Sequence, residues 1–340
     1  MGSPCVLAPH SCIGPGSTST ITARVALIPL DEIRRARERI ANAATRTPLV
    51  QLDVDAPCEI WLKLESLQPI GSFKIRGAVS AVRAAASAEL AGGVVTASAG
   101  NMAQGVAWAA REAGVRARIV APETAPRAKL DAIERLGGEI ISVPHETWWQ
   151  TMVERRYEGI DGLFVHPVED DAVMAGNGTI GLELVEDLPA FDAVVMPWGG
   201  GGLTTGIASA VKTLRPGTRV VTAEPSTAAP LAASLAAGEP TEIDYQVSFV
   251  DGAGGRALLP TMWDHARELV DSAVAIPLDE VAAAVRILAT RARVVAEGAG
   301  ALALAAALRG DAGEGRVVCI VSGGNIDAPV LARILAGETP

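Results

Sequence analysis

The stretch LESLQPIGSFKIRGA, residues 64–78, decides the fold of this chain. It ends a short apolar run, passes through a turn rich in Pro, Gly and Ser, and places Lys74 where a helix should begin. A lysine fixed at such a strand-to-helix turn can be partly desolvated, which lowers the pKa of its amine and makes it a nucleophile. The alternative is a lysine exposed on a first helical turn, and the stretch alone favours that alternative.

Composition bounds the class of protein. With 49% hydrophobic residues, 340 residues can bury a large core in two domains or in one large α/β unit. The net charge of −10 and the pI near 5.0 argue against nucleic acid or an anionic membrane as the main partner. The longest apolar stretch, residues 296–308, is too short to cross a bilayer. We therefore expect neither a nucleic-acid nor a membrane partner.

The N-terminal segment differs from the rest of the chain. Residues 1–22 are dominated by Gly, Ser, Thr and Pro without periodicity, which predicts a flexible tail, and no secretory signal is recognisable. Cys5, Cys12, Cys58 and Cys319 show no CxxC spacing, so reduced thiols in a cytoplasmic protein are expected. The four histidines are too dispersed to predict a metal site.

From residue 94 onwards, short apolar runs alternate with helical patterns. The runs at 94–96, 193–196 and 317–321 are typical of strands buried on both faces. We predict helices at 77–91 and 179–187 among those between the strands. This alternation predicts an α/β protein with doubly wound parallel sheets.

A run of four glycines follows one of the predicted strands. The sequence GGGGLTTG, residues 199–206, lies between the strand and a helix, so unshielded backbone amides and the helix dipole favour an anion there. The loop lacks the Lys-Ser/Thr of a nucleotide P-loop. The alternative is a tight crossing that only needs small residues. The pattern favours a phosphate site.

Two further loops follow predicted strands. In TASAGNMAQG, residues 96–105, Ser98 and the amides around Gly100 could hold a carboxylate, and Asn101 could donate to a phenolate oxygen. By itself this loop is better explained as a capped helix start. Ser322 follows the last buried strand and points into the crevice where α/β proteins bind ligands, although Ser-Gly-Gly also occurs in ordinary turns. An amine, a phosphate loop, an anion loop and a hydroxyl together suggest a Schiff base with pyridoxal 5′-phosphate.

The chain resembles the fold-type-II pyridoxal-phosphate enzymes, and within them the threonine/serine dehydratase and serine racemase branch. The segments that carry the resemblance are 71–78, 98–105, 199–202 and 322–325. The resemblance runs from about Pro29 to the end of the chain and implies a tryptophan synthase β-like fold with two doubly wound domains. The smaller domain, residues 93–168, would be inserted into a larger one made of 23–92 and 169–340.

The resemblance also implies roles for individual residues. Lys74 would carry the cofactor as a Schiff base and exchange the α-proton, Phe73 would flank the ring, and Ser322 would face the pyridine nitrogen. The residues implied to bind the cofactor or the substrate carboxylate divide into two groups. Besides Phe73, Lys74 and Ser322, the cofactor group contains Asn101 at the phenolic oxygen, Gly199, Gly200, Gly201 and Gly202 at the phosphate, and Leu203, Gly252 and Glu297. The substrate group consists of Ser98, Ala99, Gly100, Asn101 and Met102.

Ser322 has a mechanistic consequence. A neutral hydroxyl does not hold the ring nitrogen protonated as a carboxylate would, which suits β-elimination better than transamination. The resemblance therefore implies dehydration of a β-hydroxy-α-amino acid such as L-threonine or L-serine to a 2-oxo acid and ammonia, by a homodimeric enzyme. Alternatives are β-replacement, racemisation, and a non-catalytic phosphate-ligand binder, against which Lys74 argues.

The chain departs from the family pattern at several positions. Ala99 stands where serine racemases carry a second acid/base serine, which disfavours racemisation. Glu224 and the carbonyl of Ala228 match ligands of the branch's divalent-cation site, but Pro230 stands where a second carboxylate is expected, so the predicted site is incomplete. The alternative for Glu224 is a solvated residue at a strand end. The chain ends soon after Ser322, so neither a C-terminal regulatory domain nor feedback inhibition is expected.

Two adjacent tryptophans suggest a substrate preference. Core packing is the usual role of tryptophan. The resemblance places Trp148 and Trp149 near the substrate cleft, where with Met102 they could form an apolar pocket. We therefore hypothesise a β-hydroxy amino acid bulkier than threonine.

Overall fold

A computed structural model describes residues 27–340. The predicted tail at 1–22, with Cys5 and Cys12, lies outside the described residues. The described part of the chain forms two sheets. Its strands are β1 Leu49–Leu52, β2 Glu59–Leu64, β3 Val94–Ala97, β4 Ala117–Pro122, β5 Gly138–Val143, β6 Leu163–Phe164, β7 Ala193–Pro197, β8 Arg219–Pro225, β9 Ser272–Ile276 and β10 Arg316–Val321.

Helices cover the faces of both sheets. None of the helices between residues 27 and 340 has the length and apolar character needed to cross a membrane. A short 3₁₀ helix, Glu65–Leu67, follows β2, and a π-helical turn spans Leu288–Ala292. The α-helices are α1 Leu30–Arg39, α2 Lys74–Ala84, α3 Asn101–Glu112, α4 Arg127–Arg135, α5 His145–Glu154, α6 Asp171–Asp187, α7 Gly202–Leu214, α8 Pro230–Ala237, α9 Pro260–Leu269, α10 Leu278–Ile287, α11 Gly298–Leu308 and α12 Ala328–Leu335.

The larger sheet has the strand order β1-β2-β10-β7-β8-β9. Strand β1 pairs antiparallel with β2, and every other pair is parallel. Along β10, Val317 and Cys319 pack into the core on one face, whereas Val318 and Ile320 pack into the core on the other. Both faces are covered because successive side chains of a strand point in opposite directions and all of these are apolar.

The smaller sheet is fully parallel, in the order β5-β4-β3-β6. Its strands come from one continuous stretch of chain, residues 94–164, between β2 and β7 of the larger sheet. Val94 and Val95 again pack into cores on opposite faces. The predicted α/β fold with two doubly wound parallel sheets is confirmed, and the boundaries at 93 and 168 stay a prediction.

The predicted bounds of two helices are wrong. Helix α2 is Lys74–Ala84 and not 77–91, so the lysine is the first helical residue, as the turn at 64–78 suggests. Helix α6 begins at Asp171 and not at residue 179, because the carboxylate of Asp170 accepts hydrogen bonds from the amides of Ala172 and Val173 and caps it.

A buried ion network fixes the first turn of α2. The Arg76 guanidinium donates from Nε to Oε2 of Glu65 over 2.8 Å and from Nη1 to Oε1 of Glu183 over 2.7 Å. Lys63 on β2 pairs with the same Glu183 over 2.5 Å. Because all four charged groups are buried and paired, removing any one would leave an uncompensated charge in the core. The helix that starts at Lys74 is thereby tied to α6 and to the larger sheet.

Candidate active site

One cavity of about 530 Å³ lies at the carboxyl ends of strands from both sheets. The loops after β3, β7 and β10 all reach it, as does the N-terminus of α2. Every residue predicted to bind the cofactor or the substrate lines this cavity. These residues are Phe73, Lys74, Ser98, Ala99, Gly100, Asn101, Met102, Gly199, Gly200, Gly201, Gly202, Leu203, Gly252, Glu297 and Ser322.

The side chain of Lys74 is half-buried in the cavity wall. Its Nζ donates a hydrogen bond to the carbonyl oxygen of Pro167 over 3.0 Å and lies 5.2 Å from the centroid of the Phe73 ring. Burial lowers the pKa of this amine to about 8, although the nearby carboxyl of Glu297 acts in the opposite direction. A larger fraction of the amine is therefore neutral near pH 7 than for an ordinary lysine, as a nucleophile or proton acceptor requires.

Backbone hydrogen bonds fix the lysine loop to the loop after β10. The amide of Phe73 donates to the carbonyl of Ser322 over 3.0 Å, and the amide of Gly324 donates to the carbonyl of Gly71 over 2.8 Å. Gly71 has a φ of 72°, which favours glycine. These contacts hold the Ser322 hydroxyl and the Lys74 amine in the same cavity although the two residues are far apart in sequence.

The glycine loop forms the N-terminus of α7. Gly201 is the N-cap residue with a φ of 98°, so it occupies a conformation that favours glycine. A Cβ atom on Gly200 would overlap the side chain of Val168, and one on Gly202 would lie 2.9 Å from the Val168 carbonyl oxygen. The first amides of a helix have no intrahelical acceptor and, with the helix dipole, suit an anion such as phosphate. The glycines are thus required both by close packing and by access to these amides.

Asn101 lies in a hydrogen-bonded chain between both sheets. Its Nδ2 donates to Oε1 of Glu297 over 2.8 Å, and its Oδ1 accepts from Nδ2 of Asn325 over 2.7 Å. Burial and the nearby Asp251 raise the pKa of the Glu297 carboxyl to about 7, against the lowering by its Asn101 bond. One amide hydrogen of Asn101 remains for a ligand oxygen.

Several cavity residues were not predicted from the sequence. Lys129 on α4 forms an ion pair with Asp251, and this pair joins a helix beside the smaller sheet to a loop beside the larger one at the cavity. Some of these residues lie at or after the carboxyl end of β4 or β7, where α/β proteins bind ligands, so the sequence could have indicated them. Lys129 and Tyr245 carry no local sequence signal. The unpredicted lining residues are Pro122, Thr124, Ala125, Pro126, Lys129, Pro167, Val168, Pro197, Tyr245 and Asp251.

The two adjacent tryptophans differ in their surroundings. Trp148 lines the cavity and packs against the buried cluster of Val95, Val120 and Val143 in the smaller sheet. Trp149 does not line the cavity and is 47% exposed. Met102 is buried at the cavity. Of the predicted pair, only Trp148 is placed to contact a substrate.

The implied cation ligands lie outside the cavity. Glu224 at the end of β8 is fully buried, so the alternative of a solvated glutamate is wrong. Its carboxylate oxygens accept the amides of Leu231 over 3.1 Å and Ala232 over 2.8 Å at the start of α8, and burial raises the pKa of this carboxyl to about 7. Among the residues that the structure describes, Glu224 and Ala228 belong to no group of three or more His, Cys, Asp or Glu side chains arranged as metal ligands.

Comparisons with known proteins point to one family. The family described as pyridoxal-phosphate dependent enzyme matches residues 40–323. An L-threonine ammonia-lyase from Thermotoga maritima is 38% identical over 316 residues, which cover 91% of this chain and 78% of the relative. The structure of maize serine racemase shares 33% identity with a TM-score of 0.84, covering 92% of this chain and 97% of that one. The processed form of threonine deaminase isoform 2 from Solanum lycopersicum shares 30% identity with a TM-score of 0.80, covering 92% and 95%.

Proposed function

The chain belongs to the family of pyridoxal-phosphate dependent enzymes, and from that premise we propose that it dehydrates and deaminates a β-hydroxy-α-amino acid of the threonine/serine type. The substrate loses water across its Cα–Cβ bond, and the product then takes up water and releases ammonia. One 2-oxo acid and one ammonia form from each amino acid. The observation that carries the proposal is the Lys74 amine in one cavity with a glycine loop and a serine hydroxyl.

The residues of the cavity fit pyridoxal 5′-phosphate. The amides at the start of α7 suit a phosphate, and the glycines there leave no room for a Cβ atom. Lys74 supplies the amine, Phe73 an apolar surface, and Asn101 a free amide hydrogen for the phenolic oxygen. Ser322 supplies a neutral hydroxyl for the pyridine nitrogen. No carboxylate replaces it, since the side chain that follows β10 is this serine.

Lys74 is the residue assigned to proton transfer. The bound cofactor withdraws electrons from the substrate Cα and thereby acidifies the α-hydrogen. The Nζ atom of Lys74 takes up that proton, and its lowered pKa makes the neutral amine available for this step. The Pro167 carbonyl holds Nζ at 3.0 Å in the cavity wall, so that the base is positioned before the substrate enters.

The loop after β3 is assigned to the substrate carboxylate. Gly100 is the N-cap residue of α3, so the backbone amides at the start of this helix favour binding of an anion. The Ser98 hydroxyl lies beside them and accepts a hydrogen bond from the Gly100 amide over 3.3 Å. Lys74 and Met102 line the same cavity as this loop.

Racemisation is the second candidate, because two serine racemases are among the similar structures. Ala99 lines the cavity and has no group that can carry a proton. Racemisation needs proton delivery to the second face of Cα, and Ala99 stands where the racemases are expected to carry the serine for this task. Elimination is therefore the favoured reaction.

The proposal is tested by assaying both products with the wild type, Lys74→Ala and Lys74→Arg. With L-threonine or L-serine, the wild type should release equal amounts of ammonia and of a 2-oxo acid that lactate dehydrogenase reduces. Both variants should lose activity and the visible absorbance of the bound cofactor, since arginine keeps the charge but is not a nucleophile. Release of D-amino acid without ammonia would assign racemisation, and activity in Lys74→Ala would refute the role of Lys74.

We also propose a homodimer in the cytoplasm that binds neither nucleic acid nor membrane. Within residues 27–340, Cys58 and Cys319 are free thiols, which supports a reducing compartment, and the net charge of −10 disfavours polyanionic partners. Light scattering coupled to size-exclusion chromatography measures the assembly. A mass near the 34.9 kDa of one chain would rule out the dimer.

A further inference from the structure

His166 is a buried histidine whose ring nitrogen shapes the turn after β6. The residue is 2% exposed. Its Nδ1 atom accepts hydrogen bonds from the backbone amides of Val168 over 3.1 Å and Glu169 over 2.7 Å. An atom that accepts two N–H groups carries no proton, so the ring is neutral and its hydrogen is on Nε2.

This turn contacts both halves of the cofactor site. The Pro167 carbonyl accepts the hydrogen bond of Lys74 Nζ. Val168, the next residue, packs directly against the glycine loop, where it excludes any side chain from Gly200 and Gly202. The amine and the phosphate loop are thus both positioned by residues whose backbone His166 holds.

We infer that His166 is a positioning residue, which sets the Pro167 carbonyl against Lys74 and Val168 against the glycine loop through its Nδ1 acceptor. The inference rests on the proposed function of Lys74 as the reacting amine. His166 itself does not contact the substrate or the cofactor in this role. It acts through the backbone amides of Val168 and Glu169, the first of which shares a peptide unit with the Pro167 carbonyl.

The surroundings keep the ring neutral. Burial lowers the pKa of His166 to about 4, with Arg155 and Lys74 acting in the same direction and Glu169 in the opposite one. Glu169 is itself held by Arg155, whose Nη2 donates to its carbonyl over 3.0 Å and to its Oε2 over 3.2 Å. A proton on Nδ1 would remove both amide bonds, so neutrality is a condition for the turn.

The same chain contains a second turn of this type. Oδ1 of Asp170 accepts from the amides of Ala172 over 2.9 Å and Val173 over 3.2 Å, again two and three residues ahead. An oxygen bonded to Cγ can therefore make this pattern. Asparagine places its Oδ1 at the position of the histidine Nδ1, whereas glutamine extends one atom too far and leucine has no acceptor.

The test compares His166→Asn, His166→Gln and His166→Leu with Asp170→Ala. Each full-length apoprotein is titrated with pyridoxal 5′-phosphate, and the dissociation constant, the pH midpoint of the bound cofactor's visible absorbance and the melting temperature are measured. Leucine and glutamine should weaken cofactor binding at least tenfold, which is about 1.4 kcal/mol. They should also lower the pH midpoint, because a carbonyl that accepts from the lysine nitrogen stabilises its protonated form.

Asparagine should restore wild-type binding and the wild-type midpoint. Asp170→Ala breaks the equivalent turn at the start of α6, so it should lower the melting temperature without changing the dissociation constant or the midpoint. If His166→Leu does not fold, the inference is decided by comparing the cofactor dissociation constants and pH midpoints of His166→Asn and His166→Gln. An asparagine variant as impaired as the glutamine variant, or a leucine variant equal to the wild type, would overturn the inference. The proposed function fails separately, through a wild type that shows no visible absorbance with the cofactor.

Discussion

Asn101 donates from Nδ2 to Oε1 of Glu297 over 2.8 Å, and this bond joins the smaller sheet to the larger one across the cavity. Asn101 begins α3 directly after β3, whereas Glu297 is the residue before α11. The Glu297 carboxyl is therefore turned away from its own helix and towards the cleft, where it makes no cap bond. The two halves of the site are held together by a contact between two residues that the family resemblance assigns to the cofactor.

The pH dependence of the rate at which the apoprotein takes up its cofactor should report the pKa of the Lys74 amine. The neutral amine is the nucleophile, and its fraction increases as pH rises through about 8, the lowered pKa of this lysine. The rate at which visible absorbance appears on addition of pyridoxal 5′-phosphate should rise with a midpoint near that value. A midpoint near the usual lysine pKa of about 10.4 would contradict the burial of this amine.

Gly200→Ala should impair cofactor binding. The added Cβ atom overlaps Val168, so either the phosphate loop or the turn after β6 must move, and overpacking of this kind usually costs about 1–3 kcal/mol. We expect the dissociation constant of the cofactor to rise about tenfold or more. Gly217→Ala is the matched control, since nothing lies within 4 Å of its Cβ position, and it should bind as the wild type. Equal affinities in both variants would disprove the close packing of the loop.

Trp148→Ala should change the substrate preference and Trp149→Ala should not. Trp148 lines the cavity, whereas its neighbour is 47% exposed. If the substrate is bulkier than threonine, kcat/KM of the wild type for L-phenylserine should exceed that for L-threonine. Losing the indole should then lower kcat/KM for phenylserine about tenfold, with a smaller effect on threonine. A wild type that prefers threonine would refute the bulky-substrate hypothesis.

Glu224 should make the stability of the protein depend on pH. The pKa of this carboxyl is raised from 4.5 to about 7 in the folded state. Its contribution to the free energy of unfolding is therefore fully present below pH 4.5 and is lost as pH rises through about 7. The loss is roughly 3 kcal/mol for a shift of this size. In urea unfolding, Glu224→Gln should therefore show a shallower fall in the free energy of unfolding between these pH values than the wild type.

The same residue permits a test for the cation. Both carboxylate oxygens of Glu224 already accept backbone amides, and no second carboxylate is present at Pro230. Addition of Mg²⁺ or Ca²⁺ should leave the melting temperature and the activity unchanged, because a hard cation needs several free oxygen ligands. Stabilisation by the ion in the wild type but not in Glu224→Gln would establish a site at this strand end.

The sequence predicts the site better than it predicts the helices around it. The loops after β3, β7 and β10 were recognised because parallel strands place their carboxyl ends at one edge, and all of them line the cavity. The start of α6 is not evident from the sequence, because Gly176 and Gly178 in its first half are typical of loops. In the structure, Gly178 and Gly181 allow α6 to approach α7: added Cβ atoms would lie 2.9 Å from the carbonyl of Gly206 and 2.8 Å from the Cβ of Ala210.

Contacts between residues that lie far apart along the chain could not be predicted from the sequence. The Lys74 amine donates to the backbone carbonyl of Pro167, and because every residue has a backbone carbonyl, the sequence gives no signal for this contact. The pairing of Lys129 with Asp251 depends on how the two sheets are oriented, and neither residue stands in a motif that requires the other. Patterns of local sequence identify strand ends and glycine loops, but the partner of a side chain is set by the assembled fold.

The place of β10 in the larger sheet has a consequence for how the chain is made. This strand separates β2 from β7, and it is the last strand along the described chain. Until Arg316–Val321 leave the ribosome, β2 and β7 each expose an unpaired edge, for a time on the order of tens of seconds at usual translation rates. We therefore expect the cavity, which Ser322 after β10 helps to line, to be complete only once this strand has been translated.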